Sequence, residues 1–511
     1  MPQGAPGAQT RPGQLFWHGV INVQQEGAVK MGIFHTKSIA EIIKGTERHA
    51  LKKTLGSLDL VLLGIGCIIG TGIFVLTGVA AAKYAGPGIM LSFILSALAC
   101  GFAAMAYAEL AAMIPAAGSA YTFAYASIGK LGAFIVGWAL ICEYTVGAAA
   151  VAAGWSGYAV GLFKTAGIDL PKAWTAVPAD GGIVNAPAVL IVAFLTYLLV
   201  LGSKESAKFN KILVFIKLAC VALFLLLASP HVEPMNWQPF LPFGLGGVAT
   251  GAAIVFFAYI GFDAVSTAAE ECKNPNRDIP IGIIGSLVAC TILYIAVAAV
   301  LTGVVPYASL NNSEPVAYAL RTLGMNFGSA LVAVGAICGI TTVLLVMMYG
   351  QTRVALAMSR DGMIPQSLVK IHPKYGTPDK ITIATGIVVC ILSGLLPINI
   401  IAELCNMGTL FAFCVVSIGV MVLRKTEPDA LRPFRCPAVS IVAPLAVLFC
   451  GFLISQLPTN TFLFFGCWYA IGMAVYFTYS RHNTLLVEKS NAEFTLRQGH
   501  LENGSAETTG L

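Results

Sequence analysis

Apolar segments long enough to cross a membrane recur through almost the whole of this 511-residue chain. A helix needs roughly 20 apolar residues to span the hydrocarbon core of a bilayer. Twelve segments approach or exceed this length: Leu58–Ala82, Pro87–Met113, Gly132–Leu162, Val184–Gly202, Ala207–Ala228, Gly244–Ala269, Pro280–Val304, Phe327–Ala357, Ile381–Ile398, Asn399–Leu423, Ala438–Gln456 and Thr461–Tyr479. The pattern predicts an all-α membrane protein with twelve transmembrane helices.

The composition agrees with a membrane protein and argues against other classes. Hydrophobic residues make up 57% of the chain and charged residues 11%, whereas about a quarter of a soluble protein is charged. The net charge of +6 is spread along the chain, so a nucleic-acid-binding protein is not expected. Most of the 13 cysteines lie in apolar segments, where a free thiol packs as a small hydrophobe. Neither disulfides nor a metal site are expected.

The positions of the positive charges predict the orientation of the chain. Short cytoplasmic loops retain Lys and Arg, and an even number of spans puts both termini on one side. Of the 30 Lys and Arg residues, 25 fall on the side of the termini. The loops on the other side hold Lys83, Lys164, Lys172 and Arg321, and Lys217 lies within a helix. We therefore expect a multi-pass protein of the cytoplasmic (inner) membrane with both termini in the cytoplasm.

The two ends of the chain are polar and lack periodicity. This predicts a cytoplasmic arm over residues 1–57, a twelve-helix domain over 58–481 and a disordered cytoplasmic tail over 482–511. Residues 1–30 contain no apolar stretch of signal-peptide length, so the first spanning helix is expected to direct insertion. Translation can also start at Met31, which opens a sequence that matches a myristoylation pattern.

Glycines interrupt the first apolar segment at mid-span. Four of them fall in the stretch Gly64–Gly72, and each weakens a helix interior by roughly 0.5–1 kcal/mol relative to Ala. Two interpretations stay open for this segment. Either the helix unwinds at Thr71, between Gly70 and Gly72, or the small residues allow a neighbouring helix to pack closely.

The sixth segment carries a similar interruption, because Gly251–Asp263 again puts glycine at mid-depth and ends in an acid. Asp263 is placed to cap a restarted half-helix by accepting backbone N–H bonds. Two interruptions five helices apart, in corresponding positions of two five-helix halves, are typical of transporters built from an inverted repeat. The second interruption therefore favours unwinding of the first segment.

The backbone exposed at two such breaks predicts a site for a zwitterion. Unwound backbone is tolerated in a membrane where it is buried in protein or lines a wet cavity. It offers N–H groups to an anion and carbonyl oxygens to a cation, and an amino acid needs both. We expect the α-carboxylate on the N–H groups of Gly70, Thr71 and Gly72, and the α-ammonium on the carbonyl oxygens of Ile68, Phe257, Ala258 and Ile260.

Two ionisable residues lie deep within apolar segments, where charges are costly and usually functional. Lys217 lies near the middle of its segment, and burial favours the neutral form of a lysine. Glu143 is the nearest comparable acid and a candidate partner. Either the two form a fixed ion pair, or they carry a proton that drives transport. Glu109 and Glu403 are expected to have structural roles.

Motifs of other functions do not occur in the sequence. It has no Gly-Lys-Ser/Thr phosphate loop, so ATP-driven transport is unsupported. It also has no HExxH, GxSxG or pair of acids that indicates an enzyme within the membrane. No cofactor is expected, and the proton is the expected coupling ion. The expected partners are an amino acid, protons and membrane lipids, and a small membrane-protein partner stays open.

The chain resembles the amino acid–polyamine–organocation superfamily, and within it the bacterial proton-coupled branch of the cationic amino acid transporter family. The resemblance runs from about Met31 to Arg481. The motifs that carry it are Gly64–Phe74, Phe257–Glu271, Asn274–Pro275, Arg277–Gly282, Tyr349–Arg353 and Ser359–Gly362. The resemblance implies a 5+5 inverted repeat followed by two further helices, with the substrate bound at the broken first and sixth helices.

The resemblance also implies roles for single residues. Lys217 would occupy the region where sodium lies in sodium-coupled relatives, with proton transfer replacing sodium movement, and Glu143 would lie near the substrate. A position on helix 8 that faces the substrate side chain is small in transporters of cationic amino acids, and here it is Met347, beside Met348. Met would crowd a long cationic side chain, so neutral or broad specificity is favoured.

We therefore expect secondary active uptake of amino acids with protons by alternating access. A transporter of Lys and Arg and an amino acid exchanger are alternatives with the same fold. A membrane amino acid sensor or a channel is an alternative of another class. The sequence leaves open which amino acid is carried and how many copies assemble.

Overall fold

Helices build nearly all of the structure, a computed structural model that describes residues 35–42, 55–116, 118–201, 206–267, 272–365, 367–368, 372, 377–481 and 483. Helices of eight or more residues within these ranges are α1 Ser57–Ile68, α2 Ile89–Met113, α3 Ser119–Ser127, α4 Lys130–Thr165, α5 Ala186–Leu201, α6 Ser206–Ala228, α7 Gly244–Val255, α8 Pro275–Val304, α9 Pro315–Thr322, α10 Asn326–Arg360, α11 Asp379–Leu395, α12 Ile398–Thr426, α13 Val439–Ser455 and α14 Thr459–Val475. An isolated β-bridge joins Leu55 to Cys272.

The predicted ends of the chain fall largely outside this description. Of the predicted arm 1–57, the structure describes 35–42 and 55–57, and of the predicted tail 482–511 it describes residue 483. The alternative start at Met31 lies outside the described residues. The apolar interior of the chain is described almost throughout.

Eight helical stretches in the described part of the chain are long and apolar enough to cross a membrane: Gly72–Met113, Lys130–Thr165, Ile212–His231, Gly244–Ser266, Pro275–Val304, Asn326–Arg360, Ile398–Thr426 and Thr459–Ser480. The helices α1, α5 and α13 are apolar but shorter, at 12, 16 and 17 residues. Helix length alone therefore gives fewer spans than the twelve apolar segments predict. The protein is an all-helical, multi-pass membrane protein.

The first apolar segment is interrupted where its glycines cluster. α1 ends at Ile68, Ile69 has an extended backbone, and the chain bends at Gly70 before a π-helical turn begins at Gly72. Helical turns then continue to Ala85. We call residues 66–72, from the last turn of α1 to the first residue of the π-helical turn, the first break. The unwinding predicted around Thr71 is thus present, one to two residues earlier in the chain.

The sixth apolar segment is interrupted over a longer stretch. α7 ends at Val255, a 3-10 turn covers Phe256–Tyr259, and a short helix resumes at Ala264. Gly261 has φ +117°, a conformation that glycine adopts at low cost. We call residues 256–263 the second break.

Packing of the helices brings the two breaks together in the middle of the bundle. α4 packs against α10 and α12, and α8 packs against α1 and α2. Small residues of α4, such as Ala148 and Ala152, are fully buried, which lets neighbouring helices approach closely. Large apolar side chains such as Leu190, Leu226 and Phe327 point outwards and are exposed, as expected for surfaces that face lipid.

Candidate functional site

The two breaks meet at Gly72 and Ala258. A Cβ atom placed on Gly72 would overlap the Cα and Cβ atoms of Ala258, and both residues are buried. Only glycine at position 72 permits this approach. The interruptions that the sequence predicts in the first and sixth apolar segments therefore pack against each other.

Carbonyl oxygens from both breaks converge on one hydroxyl group. The Tyr294 hydroxyl of α8 lies 3.0 Å from the carbonyl oxygen of Ile68 and 2.6 Å from that of Ala258. A hydroxyl has one proton to donate, so it can satisfy one of these two acceptors at a time. The carbonyl oxygen of Phe257 accepts the N–H of Ile260 at 3.3 Å.

The N–H side of the first break is framed by α4 and α10. The Thr71 hydroxyl donates to the carbonyl oxygen of Val151 at 3.4 Å, and Gly154, one turn further along α4, lies in contact with the Thr71 side chain. Gly70 lies against Val343 of α10, because a Cβ atom added to Gly70 would lie 3.0 Å from Cγ2 of Val343. The Thr71 side chain therefore points to α4 and does not cap the helical turn that follows.

Lys217 of α6 is fully buried and binds the first break directly. Its ammonium donates to the carbonyl oxygens of Gly66 at 2.5 Å and Ile69 at 2.9 Å, and to the Thr342 hydroxyl at 3.2 Å. The Thr342 hydroxyl proton is donated to the carbonyl oxygen of Gly339, so this hydroxyl can only accept from the lysine. Three acceptors match the three N–H groups of a charged lysine.

Glu143 has no such partner. It is 1% exposed, and within the described part of the chain both of its carboxylate oxygens lack a hydrogen-bond partner. Of the two alternatives for these residues, the fixed ion pair between Lys217 and Glu143 is absent from this structure, since no contact joins the two described side chains. The reason is that the carbonyl groups of the first break compete for the lysine, a partner that residue types do not reveal.

Asp263 lies beside Glu143 in the bundle. Its Oδ2 accepts the Tyr144 hydroxyl at 2.9 Å, and its Oδ1 has no partner among the described residues. The predicted capping by its carboxylate is replaced by backbone contacts, because the N–H of Ser266 donates to the Asp263 carbonyl oxygen at 2.9 Å. Buried carboxylate oxygens without donors are costly, so these acids are open to a donor that enters the site.

Met347 lies where α4, α10 and α12 meet. Its sulfur lies 3.0 Å from a Cβ added to Gly147, and the sulfur of Cys405 lies at the same distance. All three residues are buried. They form an apolar, sulfur-rich wall that supplies no charged group.

Two polar residues at the breaks escaped prediction. Tyr294 bridges the two breaks, and the amide of Asn406 on α12 donates to the carbonyl oxygens of Ala253 and Ile254. Their partners are backbone atoms, which leave no mark in the sequence. The signal that could have revealed these two residues is that each places a polar group within an apolar helix.

Close contacts join different elements at each end of the bundle. At the end near the N-terminal segment, the Lys37 ammonium lies 3.0 Å from Asp361, which also accepts the Tyr121 hydroxyl at 2.7 Å. At the opposite end, Pro315 of α9 contacts Gly78, and Glu314 contacts Gly161 of α4.

Glu109 joins three segments of the chain near the end of α2. Arg424 of α12 donates to both of its carboxylate oxygens at 2.7 Å, and the N–H of Cys436 donates to Oε2 at 2.8 Å. Nε of Arg432 lies 3.3 Å from Oε1 of Glu109. The position is structural, as predicted. Cys436 lies outside the spanning helices, and burial raises the pKa of its thiol to about 11.

Comparisons with known proteins show the family of the chain. The family model described as amino acid permease matches residues 55–483. The branched-chain amino acid permease BcaP of Bacillus subtilis is 51% identical over 90% of this chain and 100% of its own length. The methylthioribose transporter of the same organism is 46% identical over 89% of this chain and 99% of its own length. The vacuolar cationic amino acid transporter 4 of Arabidopsis thaliana is 38% identical over 76% of this chain and 66% of its own length.

Proposed function

The chain belongs to the amino acid permease family, and from this premise we propose that it imports neutral, apolar amino acids together with protons by alternating access. The observation that carries the proposal is the contact of the Lys217 ammonium with the carbonyl oxygens of the first break. It joins an ionisable side chain to the backbone that the substrate is proposed to bind.

The substrate is proposed to bind between the two breaks through its own charges. Its carboxylate would take the N–H groups at Gly70, Thr71 and Gly72, where a helical turn begins with its positive end. Its ammonium would take the carbonyl oxygens around Ile68 and Ala258, as well as those of Phe257 and Ile260. In this conformation the Tyr294 hydroxyl lies within hydrogen-bond distance of two of these oxygens, so binding would require the hydroxyl to move away.

An apolar side chain fits the wall next to this site. Met347, Cys405 and Gly147 offer apolar contact and no counter-charge. The relative that is 51% identical is named for branched-chain amino acids, as is a Lactococcus lactis relative that is 34% identical over 87% of this chain. The unpartnered oxygens of Glu143 favour a second candidate, transport of Lys or Arg. The cationic side chain of such a substrate would donate hydrogen bonds to these oxygens.

Proton coupling is proposed to work through the hydrogen bonds of Lys217. A charged lysine has three N–H donors for its three acceptors, and a neutral lysine has two and an additional lone pair. Loss of the proton would therefore release at least one of these three acceptors, two of which are carbonyl groups of the first break. Gain or loss of the Lys217 proton would therefore change the geometry of the site.

We also infer the membrane arrangement from the helices. Counting α1 with its continuation to Ala85, and α7 with Ala264–Thr267, as single broken helices gives twelve spans, with α3 and α9 as connecting helices. The breaks then fall in the first and sixth spans, as in a 5+5 inverted repeat. The distribution of Lys and Arg favours cytoplasmic termini in the cytoplasmic membrane.

Uptake by proteoliposomes tests the proposal. Empty vesicles containing the purified chain would be offered each of the twenty amino acids and methylthioribose, with and without an inward proton gradient. We expect saturable uptake of Leu, Ile or Val that the proton gradient drives. Uptake that requires amino acid inside the vesicles would indicate an exchanger, and preference for Lys or Arg would favour the second candidate. Binding without flux would indicate a sensor, and ohmic conductance a channel.

A further inference from the structure

Asn406 of α12 lies at the end of α7, directly before the second break. Its side-chain amide nitrogen donates to the carbonyl oxygen of Ala253 at 2.7 Å and to that of Ile254 at 3.2 Å. The residue is fully buried. One amide group therefore binds two successive backbone acceptors of another helix.

These two acceptors are ones that the break exposes. The last four carbonyl groups of a helix lack the N–H donors of a following turn, and α7 ends at Val255. The carbonyl oxygen of Ala252, one residue earlier, still receives the N–H of Phe256 and also the hydroxyl of Ser96 from α2, at 2.8 Å. Asn406 supplies donors to the next two carbonyl groups: that of Ala253, and that of Ile254, which otherwise shares the N–H of Phe256 with Ala252.

The orientation of the amide is fixed by its surroundings. Turning it over would direct its oxygen at the two carbonyl oxygens of Ala253 and Ile254. In the present orientation Oδ1 has no partner within the described part of the chain. The hydrogen bonding of this side chain is thus committed to the end of α7.

We propose that Asn406 is a positioning residue for transport, which holds the end of α7 so that the carbonyl groups of the second break stay in place for the substrate ammonium. Ala258 follows only a few residues after the bonded carbonyl groups. A shift of the end of α7 therefore moves the wall of the proposed site. This inference rests on the proposed site between the two breaks.

Three variants of the full-length protein separate positioning from packing. Asn406→Leu keeps the volume and removes the donors. Asn406→Asp keeps the shape, but an ionised carboxylate repels both carbonyl oxygens and a protonated one restores a single donor. Ser96→Ala is the matched control, because the carbonyl oxygen that it releases keeps the helical N–H donor of Phe256.

The first measurement is leucine binding to the purified variants and the KM and kcat of uptake. Because a buried acceptor left without its donor is costly, we expect Asn406→Leu to weaken binding about tenfold or more, with KM rising more than kcat falls. Ser96→Ala should stay within about twofold of the original chain, since its acceptor remains bonded. For Asn406→Asp, the loss relative to the original chain should shrink as the pH falls, which a pure packing role would not cause.

The second measurement needs no substrate. Hydrogen exchange of residues 256–263 should be faster in Asn406→Leu than in Ser96→Ala. Equal exchange in the two variants, or an affinity loss in Asn406→Asp that does not change with pH, would overturn the proposal. If the unmodified chain transports no amino acid while exchange responds as expected, the proposed function fails and the role of Asn406 in holding α7 stands.

Discussion

The Lys217 ammonium lies 2.9 Å from the carbonyl oxygen of Ile69, the residue at which the first apolar helix unwinds. A buried cation held by carbonyl groups in a break differs from an ion pair, because its partners are parts of the backbone, which the proposed mechanism requires to move. The number of N–H donors on the lysine sets how many of these groups are held. This contact therefore links protonation to the geometry of the break.

Replacement of Lys217 tests that link. We expect Lys217→Gln to abolish accumulation driven by a proton gradient, because its amide has no ionisable proton, while leucine binding falls much less. The measurement is uptake into proteoliposomes with and without the gradient, beside equilibrium binding. Thr342→Val is the control, since it removes one acceptor and keeps the lysine. Undiminished proton-driven uptake by Lys217→Gln would remove the lysine from the coupling mechanism.

The contact between Gly72 and Ala258 gives a second prediction. A methyl group at position 72 collides with the backbone of Ala258, and overpacking of this kind costs roughly 1–3 kcal/mol. We expect Gly72→Ala to lose leucine binding and uptake, because the two breaks are pushed apart and the N–H groups are displaced. Gly101→Ala is the control, since a Cβ there meets no atom within 4 Å. A normal KM for Gly72→Ala would argue against this site.

The two breaks could be predicted because glycine weakens helices in a recognisable pattern. The glycine cluster around Gly70 and the single Gly261 mark the interruptions to within a few residues. The partners of Lys217 could not be predicted in the same way. They are carbonyl groups, which every residue has, and the register of one helix against another decides which of them the lysine meets. Tyr294 and Asn406 were missed for the same reason.

The number of helices long enough to span a membrane also could not be predicted from the apolar pattern alone. Apolar composition marks α1, α5 and α13, but their helical lengths of 12, 16 and 17 residues depend on where turns and breaks end each helix. Sequence hydropathy does not contain that information, since breaks such as Ile69 are themselves apolar.

Met347 gives a prediction on specificity. We expect Met347→Ser to increase uptake of Arg and Lys and to weaken that of leucine, because the variant removes bulk next to Gly147, one helical turn from Glu143, whose carboxylate oxygens are unpartnered in the described part of the chain. Competition of each amino acid against labelled leucine measures the change. Met348→Ser, at the neighbouring buried position, serves as the control. Unchanged selectivity in Met347→Ser would place the substrate side chain elsewhere.

Glu109 gives a prediction on stability. Because Glu109→Gln leaves Arg424 and the buried Arg432 without their carboxylate, we expect it to lower the free energy of unfolding by roughly 3–5 kcal/mol. Leucine selectivity should stay unchanged. Thermal unfolding in detergent measures the loss. Glu403→Gln is the control, because Glu403 accepts from the neutral Thr461 hydroxyl at 3.3 Å. Equal melting temperatures for the two variants would contradict a stabilising role for the Glu109 cluster.

The loop that carries α9 gives a prediction on pH. Glu314 precedes α9, is 7% exposed and pairs with Arg321. Burial raises the pKa of the Glu314 carboxyl above its usual 4.5, although the charges of Arg321 and Lys164 act in the opposite direction. An open α9 would expose this carboxyl to water and return its pKa to the usual value. The docked conformation therefore holds the proton more tightly than the open one.

Docking of α9 should accordingly strengthen in acid. The advantage is fully present below pH 4.5 and is lost as the pH rises through the raised pKa. We expect hydrogen exchange of residues 307–322 to speed up with pH more steeply in the original chain than in Glu314→Gln, which stays uncharged. Parallel pH profiles in the two proteins would contradict this.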